Sequence, residues 1–391
     1  MLTHYRGSSS PSITRFRRSI LGLKRDSAVH SIDSHTHELT TQEHEVEAFL
    51  KMVTQKFYKL SLVESHGLLS GSWISKLLDV FLCCQEQFRV LLSNNRSCLS
   101  KQPMAKLVSD YFERSVKGLD ICNVVRDGIE QMRQWEKQLE IVLNVLGDET
   151  ILGDSQFQRA KRALNNLEIK IFDEKESRSI FSHKSRSFKP KDLKNQESNR
   201  TKMSRSLSAS VSRSWSASKQ LLAIGNNIVV PKSSDVLATN GLVLTIYTMT
   251  HVLYFVMWVL VASSTSQDRG LQLQFNNYYK NFTWWVPMSS LQERILEEYK
   301  KRGRRHSCGI LKEIHRIETY VCCMKRFIDS VQFPLRKEQE EEAKKMFEEL
   351  KNIYDTLKNA LDPSERQVKD IFQQIIRCRI EGLDYVARQH D

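Results

Sequence analysis

Apolar side chains recur every three or four residues over most of the chain, which is the period of an amphipathic α-helix. The pattern predicts helices that begin near Thr41, at Ser70 or Ser72, after Pro103, near Ser155, near Ile310 and near Ala343. The longest run, from Pro103 to Gly147, corresponds to roughly 60 Å of helix. Asp362-Pro363-Ser364-Glu365 combines an N-cap, a proline at N1 and a glutamate at N3, so it predicts the start of a separate last helix.

Composition supports helices over sheets. Only 14 Gly and 7 Pro are present in 391 residues, too few for the frequent turns of a sandwich or a barrel. We therefore predict an all-α fold: an elongated antiparallel helical bundle with a disordered N-terminus, a basic linker and one apolar candidate membrane helix. The predicted regions are a disordered basic N-terminus (1–40), an N-terminal helical half (41–176), a Ser/Arg-rich linker (177–219), a region holding the candidate membrane helix (220–290) and a C-terminal helical half (291–391).

The net charge of +13 is concentrated in two polar segments. Residues 1–25 hold six bases and no acids, and residues 178–219 hold eleven bases against two acids. Such segments bind anionic membranes or other polyanions, although a solvated linker has the same composition. Aromatic residues are sparse there and no nucleic-acid-binding motif is present, so membrane or protein contact is expected and nucleic acid is not. The candidate contacts to an anionic surface are Arg15, Arg17, Arg18, Arg205 and Arg213.

Four serines in the linker follow basic residues in the form that basophilic kinases accept. These candidate phosphorylation sites are Ser206, Ser208, Ser214 and Ser216. Each phosphate adds about −1.5 to −2 charge, so about five would cancel the local charge. The hypothesis is that phosphorylation releases the linker from an anionic surface.

One apolar segment fits two structures. Leu242 to Ala262 contains 21 residues without a charged side chain, roughly 32 Å of helix against a hydrocarbon core of roughly 30 Å. A single-pass span would place the basic N-terminal side in the cytoplasm. The alternative is a central bundle helix, in which threonine hydroxyls bond back to the helix and His251 finds a partner. The sequence favours neither.

No pattern points to catalysis. The chain has no P-loop, no dinucleotide fingerprint, no H-E-x-x-H and no G-x-S-x-G, so we predict no enzyme, no metal and no cofactor. Eight Cys are too few for a disulfide scaffold, and no secretory start follows Met1. The expected location is the cytoplasmic face of a membrane, with the cytosol as the alternative.

Several stretches, in order, resemble a plant family. They include Phe81-Leu82-Cys83-Cys84, Arg114-Ser115-Val116-Lys117, Ser214-Trp215-Ser216-Ala217-Ser218-Lys219-Gln220, and Phe255-Val256-Met257-Trp258 followed by Gln267-Asp268-Arg269-Gly270-Leu271. The chain resembles the BYPASS-related proteins, and within them the Roh-type group, from about residue 43 to its end. The resemblance implies one helical domain of unknown biochemical activity, commonly with a predicted membrane segment at Leu242–Ala262. It departs from the family at Ser70-Gly71-Ser72, which bears on the packing of the second helix.

The same resemblance implies a partner and a process. The partner is the seventy-kilodalton subunit of the exocyst tethering complex, and the process is secretion with cell-wall or mucilage deposition. The expected function is therefore that of a non-enzymatic, membrane-associated adaptor. The alternative is a soluble signalling regulator of plant development, with the nucleus as one of its possible locations.

Overall fold

The computed structural model describes residues 40–147, 153–183, 217–263, 282–303 and 311–387, and within these ranges the chain is helical without strands. The helices before the linker are α1 (Thr41–Ser61), α2 (Gly71–Asn94), α3 (Arg96–Leu99), α4 (Met104–Leu146) and α5 (Asp154–His183). Those after it are α6 (217–225), α7 (Ser233–Ala238), α8 (Leu242–Ser263), α9 (Trp285–Gly303), α10 (Lys312–Ser330) and α11 (Lys337–Ala387). The all-α prediction is confirmed.

The first two helices begin at side-chain caps. The Thr40 hydroxyl accepts a hydrogen bond from the Glu43 amide at 3.3 Å, and the Glu43 carboxylate accepts from the Thr40 amide at 2.8 Å, which is a capping box. Ser70 caps α2, because its hydroxyl accepts from the Trp73 amide at 3.2 Å. Trp73 is buried, so α2 packs normally despite the unusual sequence before it.

Helices α4 and α5 begin where the apolar pattern predicts. Helix α4 starts directly after Pro103 and runs for 43 residues. Helix α5 starts at Asp154, next to the predicted start, and continues to His183. It therefore extends past residue 177, the predicted start of the linker.

The predicted helix start at Asp362 is wrong. Helix α11 runs for 51 residues with Pro363 inside it. The buried face accounts for the continuity, because Leu361 and Val368 are seven residues apart, or two helical turns, and stay on one side across the proline. Burial along this face outweighs the local capping signal.

Helix α11 lies antiparallel to α4. Near the start of α4 the Arg379 guanidinium donates to the Phe112 carbonyl at 3.0 Å, and near its end the Tyr354 hydroxyl donates to Glu140 at 3.3 Å. Residue numbers rise along α4 as they fall along α11, which confirms the antiparallel arrangement. The two helices come from either side of the linker, so both halves of the chain contribute to one hydrophobic core.

Two glycines in these helices give a matched pair for testing the packing. A Cβ at Gly382 would lie 2.2 Å from Cζ of the buried Phe112 ring, whereas one at Gly128 would meet nothing within 4 Å. Overpacking costs about 1–3 kcal/mol, and alanine gains about 1 kcal/mol over glycine in a helix. We expect Gly382→Ala to lower the free energy of unfolding by up to about 2 kcal/mol, and Gly128→Ala to raise it by about 1 kcal/mol. Guanidinium unfolding followed by circular dichroism measures the free energy of unfolding of both variants. If alanine changes this free energy equally at the two positions, the Gly382–Phe112 contact is contradicted.

Candidate interaction surfaces

The basic and serine residues that the sequence singles out lie outside the part of the chain that the structure describes. They are Arg15, Arg17, Arg18, Arg205, Arg213, Ser206, Ser208, Ser214 and Ser216. The described chain resumes at residue 217, within the last three residues of the second basic segment. The structure therefore shows what this segment is attached to, namely α6 and the residues that follow it.

The apolar segment bounded by Leu242 and Ala262 forms α8, which ends one residue later. Its length and composition would allow it to cross a membrane. Every side chain from Leu242 to Ala262 is buried, and α1, α2 and α4 pack against it. This is the environment of a core helix, because a span would present much of its surface to lipid.

The polar side chains of α8 bond to its own backbone. The hydroxyls of Thr245 and Thr250 donate to carbonyls three and four residues earlier, both at 2.7 Å. His251 Nδ1 lies 2.8 Å from the Tyr247 carbonyl, which only accepts, so this nitrogen carries the proton. Burial lowers the pKa of His251 to about 4, and the ring is neutral at pH 7.

Aromatic rings preceding α9 cover the middle of α8. The centroid of the Trp284 ring is 5.2 Å from that of His251, and the Phe282 ring stacks on Trp284 at 5.4 Å. The histidine is thus enclosed by rings and has no access to solvent. Its surroundings are those of a packed core.

In the described part of the chain, two hollows of about 790 and 490 Å³ along α11 are open to solvent, and the more enclosed cleft is small. An apolar cleft of about 80 Å³ lies between α2, α4, α8, α10 and α11, and Glu313 at its edge accepts a hydrogen bond from the Gly71 amide at 2.9 Å. Pockets that enclose small molecules usually measure about 300–1,000 Å³. Among the described residues no group of three His, Cys, Asp or Glu side chains is placed to hold a metal ion.

The segment 226–240, which joins α6 to α8 and contains α7, is fixed at both ends. The Arg114 guanidinium donates to two carbonyls at the end of α6, at 2.5 and 2.6 Å. At the other end the Gln42 amide donates to the Thr239 carbonyl at 3.3 Å. Arg114 belongs to α4 and Gln42 to α1, so the bundle itself holds this segment.

A second surface with exposed apolar side chains lies on α1 and α9. These helices are tied together where Arg294 donates to the Ser61 carbonyl at 2.8 Å. More than half of the surface of three apolar side chains is exposed there, namely Tyr58, Leu62 and Val286. We refer to this surface as the α1–α9 face.

Sequence reasoning does not find the contacts that hold the 226–240 segment. Arg114 is 110 residues from its first carbonyl partner, and Gln42 is 197 residues from Thr239. No local spacing marks such pairs. The only local signal for this segment is the run Ile228-Val229-Val230-Pro231. It is apolar, has no helical periodicity and comes after the basic segment.

Comparison with known proteins gives consistent matches. The family described as Protein ROH1-like matches residues 10–386. Protein ROH1D of Arabidopsis thaliana is 50% identical over 388 residues, covering 96% of this chain and 97% of that protein. Protein ROH1A of the same plant is 29% identical over 381 residues, covering 89% and 91%. No solved structure matches.

Proposed function

Since the chain belongs to the ROH1-like family, we propose that it is a non-enzymatic adaptor at the cytoplasmic face of a membrane. In this proposal it binds the seventy-kilodalton exocyst subunit and acts in secretion and cell-wall or mucilage deposition. The membrane attachment is peripheral: the basic segments contact the bilayer, and α8 remains within the protein core.

The burial of α8 is the observation that carries this proposal. If α8 crossed a bilayer, α4 and α11 would lie on opposite sides of the membrane, because one precedes α8 and the other follows it. Their shared core would be lost, together with the Arg133–Asp362 ion pair at 2.7 Å and the Arg89–Glu381 ion pair at 2.8 Å. A peripheral protein keeps all of these contacts.

Charge supports the membrane contact. Residues 178–219 carry a net charge of +9 and residues 1–25 add +6. A basic residue near an anionic leaflet contributes about 1 kcal/mol to binding. This attraction is screened by salt, so a protein attached in this way is released at high ionic strength.

Shape and family membership support the adaptor role. Helices α4 and α11 contain 43 and 51 residues, or roughly 64 and 77 Å of helix. Rods of this length present extended surfaces for protein contact. The exocyst subunit is proposed as the partner from the family resemblance.

Aspartates at the four linker serines should weaken membrane binding. Replacing Ser206, Ser208, Ser214 and Ser216 lowers the net charge of residues 178–219 from +9 to +5. We expect at least a roughly tenfold loss of binding to vesicles of phosphatidylcholine with about one-quarter phosphatidylserine. Co-sedimentation of the full-length chain measures it, and alanine at the same four positions is the matched control.

Different outcomes separate the parts of this proposal. Wild-type protein that resists extraction from cell membranes by alkaline carbonate would refute peripheral attachment. Equal binding of the aspartate and alanine variants would refute the role of linker charge. The purified seventy-kilodalton exocyst subunit is tested without vesicles, and failure to bind the full-length chain would refute the partner.

A further inference from the structure

Three exposed apolar side chains lie close together on the 226–240 segment. Val229 is 77% exposed, Val230 is 40% exposed and Leu237 is 39% exposed. Single apolar residues on a surface are ordinary. Three exposed apolar side chains on one fifteen-residue segment form a group. Their exposure to water is unfavourable, and contact with a membrane or a partner protein would remove it.

The segment presents these side chains from a fixed backbone. Ile228 and Val236 pack against the core, while their neighbours Val229 and Leu237 point away from it. Arg114 and Gln42 hold the two ends. Because the backbone is already ordered, little further conformational entropy is lost when the exposed side chains are covered.

Charge indicates what covers them. Helix α6 joins this segment to the +9 segment, and the segment's own two charges, on Lys232 and Asp235, cancel, so the basic charge comes from the preceding residues. Aliphatic side chains beside a dense basic run match an anionic bilayer, where the bases bind headgroups and the aliphatic groups enter the interface. The α1–α9 face is less suited, because acids and a base are mixed there: Glu64, Glu293 and Lys59 are all exposed on it or beside it.

We propose that the 226–240 segment is a membrane-contact wedge that inserts Val229, Val230 and Leu237 into the interface of an anionic bilayer. This inference rests on the proposed peripheral attachment and adds an apolar component to it. The basic segment brings the protein to the surface, and the wedge fixes the depth and orientation of the bundle there.

The test uses neutral polar substitutions, so that charge does not change. The full-length Val229→Asn/Val230→Asn variant is compared with wild type on vesicles of phosphatidylcholine with about one-quarter phosphatidylserine. We expect about tenfold weaker binding with the same dependence on salt. Val286→Asn on the α1–α9 face is the matched control, since Val286 is 64% exposed, and it should bind like wild type. Leu237→Asn is a second variant, for which we expect a smaller loss of vesicle binding. An unchanged midpoint of thermal unfolding confirms that each variant is folded.

Each result has one interpretation. If wild type fails to bind the anionic vesicles, the proposed attachment is wrong and the wedge is wrong with it. If wild type binds and both wedge variants bind equally well, the wedge is wrong while attachment by charge stands. If the wedge variants keep vesicle binding but lose the exocyst subunit in solution, the segment is a protein-docking surface and the membrane wedge is refuted.

Discussion

Replacing Phe255 with alanine is expected to lower the free energy of unfolding by about 3–5 kcal/mol. Phe255 lies in the middle of α8 with 1% of its surface exposed. Its ring meets the ring of Phe57 on α1 edge to face, at a centroid distance of 5.6 Å. Truncation removes this contact and leaves a cavity at the centre of the bundle. Guanidinium unfolding of the full-length protein in detergent-free buffer measures the loss.

A double-mutant cycle with Phe57 makes the result specific to the packing of α8. The Phe57→Ala/Phe255→Ala pair should be coupled by about 0.5–1.5 kcal/mol, the usual value for an aromatic pair beyond its buried area. Val286→Ala is the control, because this exposed side chain should change stability by less than about 0.5 kcal/mol. A spanning α8 would leave Phe255 among lipid chains and away from Phe57. Absence of coupling, or a protein that is soluble only in detergent, would therefore contradict the core position of α8.

The ambiguity at α8 shows where sequence reasoning stops. On α1 a single apolar stripe predicts which residues are buried, and Val46, Phe49, Leu50, Val53, Phe57 and Leu60 are all buried. Helix α8 is apolar on every side, so periodicity carries no information about what surrounds it. Burial by lipid and burial by protein select the same residue types. Only the contacts made by distant helices distinguish the two.

The candidate interaction surfaces are still harder to predict. Exposure of Val229 depends on the backbone path that Arg114 and Gln42 impose, and both lie more than 100 residues away in sequence. The basic character of the preceding segment, by contrast, is plain from composition. Sequence thus predicts the electrostatic part of the proposed membrane contact, and the folded structure is needed for the apolar part.

Replacing Pro363 with alanine is expected to raise the free energy of unfolding by about 1–3 kcal/mol. A proline inside a helix removes one backbone hydrogen bond and crowds the carbonyl four residues earlier, here that of Asn359. In α11 the Ser364 hydroxyl donates to the Ala360 carbonyl at 2.7 Å, as a residue inside a helix does. Alanine restores the missing amide donor and removes the crowding. Chemical unfolding of the full-length protein measures the gain.

The sign of this change decides between one helix and two. At the first position of a separate helix proline costs nothing and its fixed φ is favourable, so alanine there would be neutral or destabilising. Pro231→Ala is the control, because Pro231 lies outside the helices and its loss should lower stability by about 0.4–1 kcal/mol through the unfolded chain. If α11 is continuous, Pro363→Ala should raise the free energy of unfolding and Pro231→Ala should lower it. If both variants are less stable than wild type, a separate helix starts at Asp362. Two shorter helices, rather than one long α11, would then pack against α4.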